Sequence, residues 1–332
     1  TGLSMNKEKI FEKIQEYTSD IPLLLIGTGA SIPVGIPGMA ELANYLLDNL
    51  KIKYAHDDIW NEIADKLQNK IDLETALTSH NLSGDLLNDI RKLTWELVNE
   101  ADLKYFHKKV ILGSKLPLAE LLKKLLQPSS DHLNILTTNY DRYIEYCCDH
   151  IQRKIDIGYN GMYLKKTSNE EIKSRKIINV LKVHGSLDSF SDLKTKESVS
   201  IPLQERIPNG FIPEIITPGS DKYKEILTSA SRDILHKADT LIEKANNFLC
   251  IGYGFNDSQI QEKIITKIKS GTPIVIVTKE LKDNSLDLIN SNSRNYVVVM
   301  DGGNNSTRFI INKTDVTIDG TYWTIEGFNE II

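Results

Sequence analysis

Two polar side chains in this sequence, a histidine and an asparagine, have the chemical type and the setting needed for acid–base chemistry. His184 ends an apolar stretch and is followed directly by Gly185, and its imidazole can accept a proton near neutral pH. Asn139, in the segment TTNYD, offers both a donor and an acceptor, which suits it to orient hydroxyl groups or a water molecule. The two residues predict a general base and an orienting amide. Each also has a structural interpretation, because a lone histidine is often structural and asparagine is a preferred helix N-cap.

A glycine-rich segment, LLLIGTGASIPVGIP from Leu23 to Pro37, predicts a ligand site of another kind. Its four apolar residues read as a buried strand, and glycines directly after a strand let the backbone approach a ligand. Amides at the start of the next helix can hold phosphate oxygens, which makes a nucleotide the expected ligand. A purely structural tight turn is the alternative. The segment lacks the Gly-Lys-Ser/Thr end of a P-loop, and Ile32 stands where the dehydrogenase pattern G-x-G-x-x-G needs a third glycine.

The elements that would position these residues alternate between strand and helix. Apolar runs at LNILT, FLCIG, IVIV and YVVVM are separated by patterns with helical spacing. This alternation predicts an α/β fold with a Rossmann-like parallel sheet and helices on both faces. A polar stretch with four prolines between residues 202 and 218 reads as a long loop that can serve as a lid. An Asp319-Gly320 turn between alternating residues predicts a small C-terminal β-hairpin unit.

The chain between the first two predicted strands is helical almost throughout, which is more helix than one crossover needs. We therefore predict a helical insertion at 52–126. The Rossmann-like core would then consist of 5–51 and 127–332. Residues 1–4 precede Met5 and read as residues added in front of a natural start.

Composition and charge disfavour several classes of function. The chain has 332 residues, 40% of them hydrophobic, and a net charge of −5 without a polybasic stripe, so direct nucleic-acid binding is not expected. No apolar run approaches the roughly 18 residues that cross a bilayer and no signal peptide opens the sequence, so we expect a cytoplasmic protein without a membrane partner. The three cysteines include no C-x-x-C pair, and we expect no zinc and no other metal.

Four segments, each at the end of a predicted strand, resemble sirtuin motifs in the same order along the chain. GTGASIPVGIP resembles the nucleotide-binding signature G-A-G-x-S followed by G-I-P, and TTNYD resembles T-Q-N-I-D. VHGSLD places His184 and Gly185 where sirtuins carry their catalytic His-Gly, and IGYGFND lies where they carry a G-T-S nucleotide loop. The resemblance implies a sirtuin-type Rossmann-like core that binds NAD.

The resemblance also implies roles for individual residues. Asn139 and His184 would be catalytic, and Asp141 would bind the nicotinamide carboxamide. One side of the pyrophosphate would be cradled by Gly27, Thr28, Gly29 and Ser31. The opposite wall of the site would consist of Gly252, Tyr253, Gly254 and Asn256. Asp141 is alternatively a residue that stabilises the first turn of the next helix. Asn256 and Asp257 alternatively begin the helix DSQIQEKI.

The sequence departs from the classical sirtuin pattern at two points. G-I-P continues as Gly38-Met39-Ala40 instead of D-F-R, and the four-cysteine zinc module that follows the catalytic histidine is absent. With its large helical insertion, the chain is similar to the sirtuin-like domains of bacterial anti-phage defence systems. That resemblance implies an NAD+ hydrolase (NADase) of abortive infection, with NAD as its substrate and nicotinamide and ADP-ribose as its products.

Such an enzyme would need restraint, and oligomerisation, a partner chain and the predicted lid loop stay open as its means. We expect a homo-oligomer, and the partner would be an ATPase of the same defence system or a phage component. Two other functions stay open. One is an NAD-dependent protein deacylase or ADP-ribosyltransferase, and the other is a sensor that binds NAD or ADP-ribose without cleaving it.

Overall fold

The computed structural model describes residues 5–82, 84–126, 132–168, 176–219 and 229–332, so the predicted added segment at 1–4 lies outside the described residues. The strands are β1 (Leu23–Ile26), β2 (His132–Thr137), β3 (Lys154–Asp156), β4 (Tyr159–Asn160), β5 (Lys165–Thr167), β6 (Ile177–Lys182), β7 (Gly185–Asp192), β8 (Ser198–Ser200), β9 (Phe211–Ile215), β10 (Phe248–Ile251), β11 (Ile274–Val277), β12 (Tyr296–Gly303), β13 (Ser306–Ile311) and β14 (Thr314–Asp319). The α-helices are α1 (Lys7–Thr18), α2 (Met39–Leu50), α3 (Asp58–Gln68), α4 (Leu73–Thr78), α5 (Gly84–Tyr105), α6 (Pro117–Leu125), α7 (Tyr143–His150), α8 (Ser229–Lys244), α9 (Ser258–Lys269), α10 (Asp283–Asn292) and α11 (Ile325–Phe328). Short 3₁₀ turns lie at Thr28–Ala30 and Ile32–Val34, and a π-helical turn lies at Phe106–Val110.

Within the described part of the chain, nine strands form the main sheet in the order β14-β13-β12-β11-β10-β1-β2-β6-β3. The strands from β12 to β3 in this order pair in parallel, and β13 and β14 continue the sheet in antiparallel pairing. The central strands β1, β10 and β11 are buried along their whole length, as expected for parallel strands covered on both faces. The predicted α/β fold with a Rossmann-like parallel sheet is confirmed.

Helices cover the two faces of this sheet. On β1, Leu24 packs into the layer that contains α1, α6 and α7, whereas Leu25 packs into the layer that contains α8, α9 and α10. The two neighbours separate because successive side chains of a strand point to opposite faces. Among the described residues, no helix is long and apolar enough to cross a bilayer.

Helices α2 to α5 form a separate helical unit around the buried side chains Leu46, Trp60 and Ile90. The last helix before β2, α6, packs instead against the main sheet through Leu118, Leu121 and other leucines. The helical insertion at 52–126 remains a proposal. This packing favours limits nearer the start of α2 and the end of α5, because those helices share one core.

The stretch between residues 202 and 218, predicted as a long loop, has no helix or strand from 202 to 210 but forms the strand β9 at Phe211–Ile215. Its use as a lid stays a prediction. β7, β8 and β9 join β4 and β5 in a second, antiparallel sheet of order β4-β5-β8-β7-β9. The inward-facing Leu187, Phe190 and Val199 pack against Trp95 of α5, which explains why serine-rich strands form here. Pro213 lies on β9, an edge strand of this sheet, where a missing N–H is tolerated.

The C-terminal hairpins are present, but the turn predicted at Asp319-Gly320 is wrong. The connections are Asn304-Asn305, between β12 and β13, and Asn312-Lys313, between β13 and β14. All four of these residues have positive φ, from 45° to 75°, as two-residue hairpin turns require and asparagine tolerates. After Gly320 the chain enters α11 instead of returning as a strand, and β13 and β14 extend the main sheet instead of forming a separate unit.

Candidate active site

A cavity of about 460 Å³ lies at the carboxyl ends of β1, β2 and β10 and beside the end of β6. Here β1 connects the two halves of the sheet, and ligands of open α/β sheets bind at such switch points. The helical unit of α2 to α5 forms one wall of this cavity. The sequence did not predict this wall, because the periodicity of a helix does not show which other elements the helix packs against. The residues that line the cavity include Gly27, Thr28, Ser31, Asp72, Glu74, Thr94, Val98, Asn139, Asp141, His184, Tyr253, Gly254, Asn256, Asp257 and Lys282.

Asn139 lies between the ends of β1 and β2 and is 4% exposed. Its Nδ2 donates to the carbonyl of Gly27 over 2.8 Å and lies 3.3 Å from the hydroxyl of Ser31, and its backbone N–H donates to Thr137 Oγ1 over 3.1 Å. Its Oδ1 is buried and has no partner among the described residues. The N-cap of α7 is Arg142, so the interpretation of Asn139 as that helix's cap is wrong. The fixed amide leaves one acceptor for a ligand.

Asp141 is buried beneath the same cavity. Its Oδ1 accepts the backbone N–H of Tyr143 at the start of α7 over 3.0 Å, so the structural role considered for it is present. Burial raises the pKa of Asp141, against the opposing effect of the Lys182 charge. Its nicotinamide-binding role stays a prediction.

His184 lies in the link between β6 and β7, and backbone contacts fix its position. Its carbonyl accepts the N–H of Ile216 over 2.9 Å. Gly185 has φ +87°, and a Cβ atom there would lie 1.9 Å from the carbonyl oxygen of Glu214. Glycine follows the histidine because β7 and β9 approach too closely for a side chain.

The imidazole of His184 contacts a carboxylate that the sequence did not assign to it. Nε2 lies 2.7 Å from Oδ2 of Asp257, and the two side chains are 13% and 4% exposed. Oδ1 of Asp257 accepts the N–H of Ile260, so this residue also caps α9, as the sequence predicted. The pairing was missed because 73 residues separate the partners and only the fold joins them.

The glycines predicted to approach a ligand also approach each other. A Cβ atom on Gly27 would lie 2.4 Å from the carbonyl oxygen of Gly252, and one on Gly29 would lie 2.8 Å from its Cα. Gly252 has φ +59° and accepts the N–H of Gly29 over 3.0 Å. The N–H groups of Gly27, Ala30 and Ser31 are likewise donated to protein carbonyls. These glycines join the ends of β1 and β10, and their contact with a pyrophosphate stays a prediction.

The remaining predicted binding residues lie on the rim and the wall of the cavity. Thr28 and Asn256 are exposed, and Tyr253 is buried with its ring 4.8 Å from that of Phe255 in an edge-on arrangement. The rim also carries Lys282, Asp72 and Glu74, charged residues that sequence reasoning did not select. Among the described residues, no group of three or more His, Cys, Asp or Glu side chains is placed to hold a metal ion.

Arg142 ties the segment that carries Asn139 and Asp141 to the rest of the molecule. Its Nη1 lies 2.9 Å from Oδ1 of Asp102 on α5, and its Nε lies 2.6 Å from Oδ1 of Asp188 on β7. Its Nη2 donates to Asn99 over 2.9 Å. Burial disfavours the charged guanidinium, but the carboxylates of Asp188 and Asp102 outweigh it and raise the pKa of Arg142. One buried cation therefore links the main sheet, the helical unit and the second sheet.

The second sheet carries a buried acid that lines a different cavity from the candidate site. Glu214 on β9 accepts the hydroxyl of Ser198 over 2.5 Å, and its Oε1 is buried without a partner among the described residues. Burial raises the pKa of Glu214 to about 7, which outweighs the lowering effect of the Ser198 hydrogen bond.

We expect this acid to make the protein less stable as pH rises from 4.5 to 7. In that window the unfolded chain has lost the Glu214 proton while the folded chain still holds it, so the free energy of unfolding falls and then levels off. As the pH rises through this window, the free energy of unfolding of Glu214→Gln should increase relative to that of wild type, by on the order of 3 kcal/mol in total. Urea unfolding at several pH values measures this difference. Glu197→Gln, at a side chain 62% exposed, should track wild type. A difference between Glu214→Gln and wild type that does not change with pH would contradict this.

The family model described as the SIR2-like domain matches residues 133–283, slightly less than half of the chain. A search of curated proteins finds no match. A solved structure concerned with the mechanism and regulation of Sir2 enzymes shares 15% identity, covers 88% of this chain and 92% of that chain, and has a TM-score of 0.48. A Sir2 histidine-to-alanine variant with a deacetylated p53 peptide and 3′-O-acetyl ADP-ribose shares 13% identity over 99% and 97%, with a TM-score of 0.46. A Sir2 bound to a propionylated peptide shares 13% identity over 87% and 92%, with a TM-score of 0.45.

The segment found by the family model contains β6, β10 and all of β2 except its first residue, and it includes Asn139, His184 and Asp257. The glycine segment after β1 lies outside the matched segment but on the same cavity. The chain has an α/β fold with a Rossmann-like parallel sheet, and its part from 133 to 283 matches the SIR2-like domain.

Proposed function

We propose that this protein hydrolyses NAD+ at the bond between nicotinamide and ribose, which makes it an NADase. The observation that carries the proposal is the amide of Asn139, held by Gly27 with its Oδ1 unpartnered among the described residues, on the cavity that His184 also lines. The SIR2-like match and the position of the cavity at the switch point of the sheet support a nucleotide substrate.

The reaction needs few groups from the protein. The bond between C1′ of the ribose and the nicotinamide nitrogen breaks, its electron pair leaves with neutral nicotinamide, and an oxocarbenium-like ribose forms. A water oxygen then bonds to C1′ and loses a proton. In the proposed roles, Asn139 orients the ribose hydroxyls or the water, His184 takes the proton, and Asp141 holds the carboxamide.

The departures from the classical sirtuin pattern support hydrolysis over protein deacylation, because the missing parts are associated with handling a protein substrate. The chain after His184 forms the serine-rich second sheet, and the three cysteines lie buried on α7 and β10, so a four-cysteine zinc module has no counterpart. A deacylase or ADP-ribosyltransferase remains the alternative that uses the same cavity. A non-catalytic sensor of NAD or ADP-ribose would not need the pair formed by His184 and Asp257.

We expect Asn139→Ala to lower the rate of nicotinamide release by about 10²-fold, because an orienting hydrogen-bond group is lost. Release of nicotinamide and ADP-ribose from NAD+ by the purified protein, followed by chromatography, measures this. Asn44→Ala, an exposed asparagine on α2, is the matched control and should retain the wild-type rate. Wild-type-like release by Asn139→Ala would remove the residue from the mechanism, and faster conversion of an acyl-lysine peptide than of NAD+ alone would favour the deacylase.

A continuously active NADase would exhaust the NAD of its cell, so we propose that this one is restrained. The proposed setting is bacterial anti-phage defence by abortive infection in the cytoplasm, with a homo-oligomer and an activating partner ATPase or phage component. The same assay over a series of protein concentrations tests the oligomer, because self-association makes the rate per molecule rise with concentration. A fully active monomer would contradict the restraint.

A further inference from the structure

The contact between His184 and Asp257 determines which ring nitrogen of the histidine carries the proton. A carboxylate only accepts hydrogen bonds, so the 2.7 Å contact requires Nε2 of His184 to be the donor. In the neutral imidazole the other nitrogen, Nδ1, is then the acceptor. In the proposed reaction, Nδ1 is therefore the atom of His184 that can act as the base.

Asp257 is itself held firmly. One carboxylate oxygen faces His184 and the other accepts the N–H of Ile260 over 3.3 Å at the start of α9. The loop before it is anchored by Tyr253 and Phe255, which are 4% and 3% exposed and pack edge-on against each other. The carboxylate therefore has a fixed direction before any ligand binds, as a group that orients a base must have.

We infer that Asp257 is a positioning residue that holds His184 in the Nε2–H form and leaves Nδ1 to accept the proton of the attacking water. The inference rests on the proposed function. As the water oxygen bonds to C1′ and the nicotinamide leaves with its electron pair, the water proton moves to Nδ1, and the imidazolium that forms faces the Asp257 carboxylate. An apolar or amide side chain at this place would supply no compensating charge.

The test combines a spectroscopic and a kinetic measurement on Asp257→Asn. Asparagine caps helices as well as aspartate does, so α9 should keep its start. We expect ring ¹⁵N shifts of His184 to show the single Nε2–H form in wild type and to lose it in the variant. We expect kcat for nicotinamide release to fall by about 10²-fold or more while KM for NAD+ stays within about 3-fold, as for a base left in the wrong tautomer.

Asp57→Asn is the matched control, because Asp57 caps α3 through the N–H of Trp60 over 2.8 Å in the same manner. It should change neither the spectrum nor kcat. An Nδ1–H form in wild type, or an unchanged His184 spectrum in Asp257→Asn, would overturn the inference. The spectra need no NAD+, so a protein that shows the expected spectra but releases no nicotinamide at any protein concentration would count against NADase activity of the chain alone and leave the assigned tautomer intact.

Discussion

Replacing His184 with alanine is expected to lower kcat for nicotinamide release by about 10²- to 10⁴-fold, the range that a general acid–base residue contributes. The main chain at this position is fixed by the hydrogen bond from Ile216 and by the close approach of Gly185 to β9. Alanine therefore removes the ring and leaves the cavity in place. Initial rates at saturating NAD+ measure the effect directly.

The control for this variant is His56→Ala, because His56 is an exposed histidine in the turn after α2. It should retain the wild-type kcat. Urea unfolding of both variants separates a loss of chemistry from a loss of folded protein. If His184→Ala keeps the wild-type kcat, the histidine is structural and the proposed base is wrong.

Replacing Arg142 with alanine is expected to lower the free energy of unfolding by about 3–5 kcal/mol, because it leaves buried carboxylates without a counter-charge. The largest loss is expected at Asp102, because its side chain is 1% exposed and both of its carboxylate oxygens accept hydrogen bonds from Arg142. The backbone N–H to Asp102 survives the substitution, but the guanidinium contacts to Asp102, Asp188 and Asn99 are lost. Thermal or urea unfolding gives the magnitude.

Arg308→Ala is the matched control, because Arg308 pairs with Asp315 on β14 with both side chains more than 40% exposed. An exposed pair of this kind contributes about 0–1 kcal/mol. Arg142→Lys should fall between the two, since an ammonium group cannot reproduce the forked contacts of a guanidinium. Equal losses for Arg142→Ala and Arg308→Ala would show that the buried pair adds nothing beyond a surface pair.

The sequence predicted where the site lies better than how it is built. Short apolar runs identified β1, β2 and β10, and parallel strands bring their carboxyl ends to one edge, so Asn139 and Ser31 were expected there. The contact between His184 and Asp257 could not be predicted, because local periodicity carries no information on pairs 73 residues apart. Nor could the contacts of Arg142, whose partners Asp102 and Asp188 lie 40 and 46 residues away on α5 and β7.

Other differences come from ambiguous local signals. The strands β7 to β9 carry serines and a proline, which read as loop until Trp95 and its apolar neighbours give their inner face a core. Asp319-Gly320 is a strong turn signal, yet the turns form at asparagines, because those residues also reach positive φ. The glycines after β1 and β10 were expected to be small so that a ligand could approach the backbone. The structure adds a second reason, because Gly27 and Gly29 lie too close to Gly252 for a side chain to fit.

The central position of β1 in the sheet limits which fragments of this chain can fold with the cavity intact. The family signature occupies 133–283, whereas β1 belongs to the first 30 residues and separates β10 from β2. A fragment trimmed to the signature would keep the catalytic candidates and lose the strand that joins the two halves of the sheet, exposing two unpaired strand edges. The shortest fragment able to retain the pocket floor must begin before Leu23 and continue past Asp257.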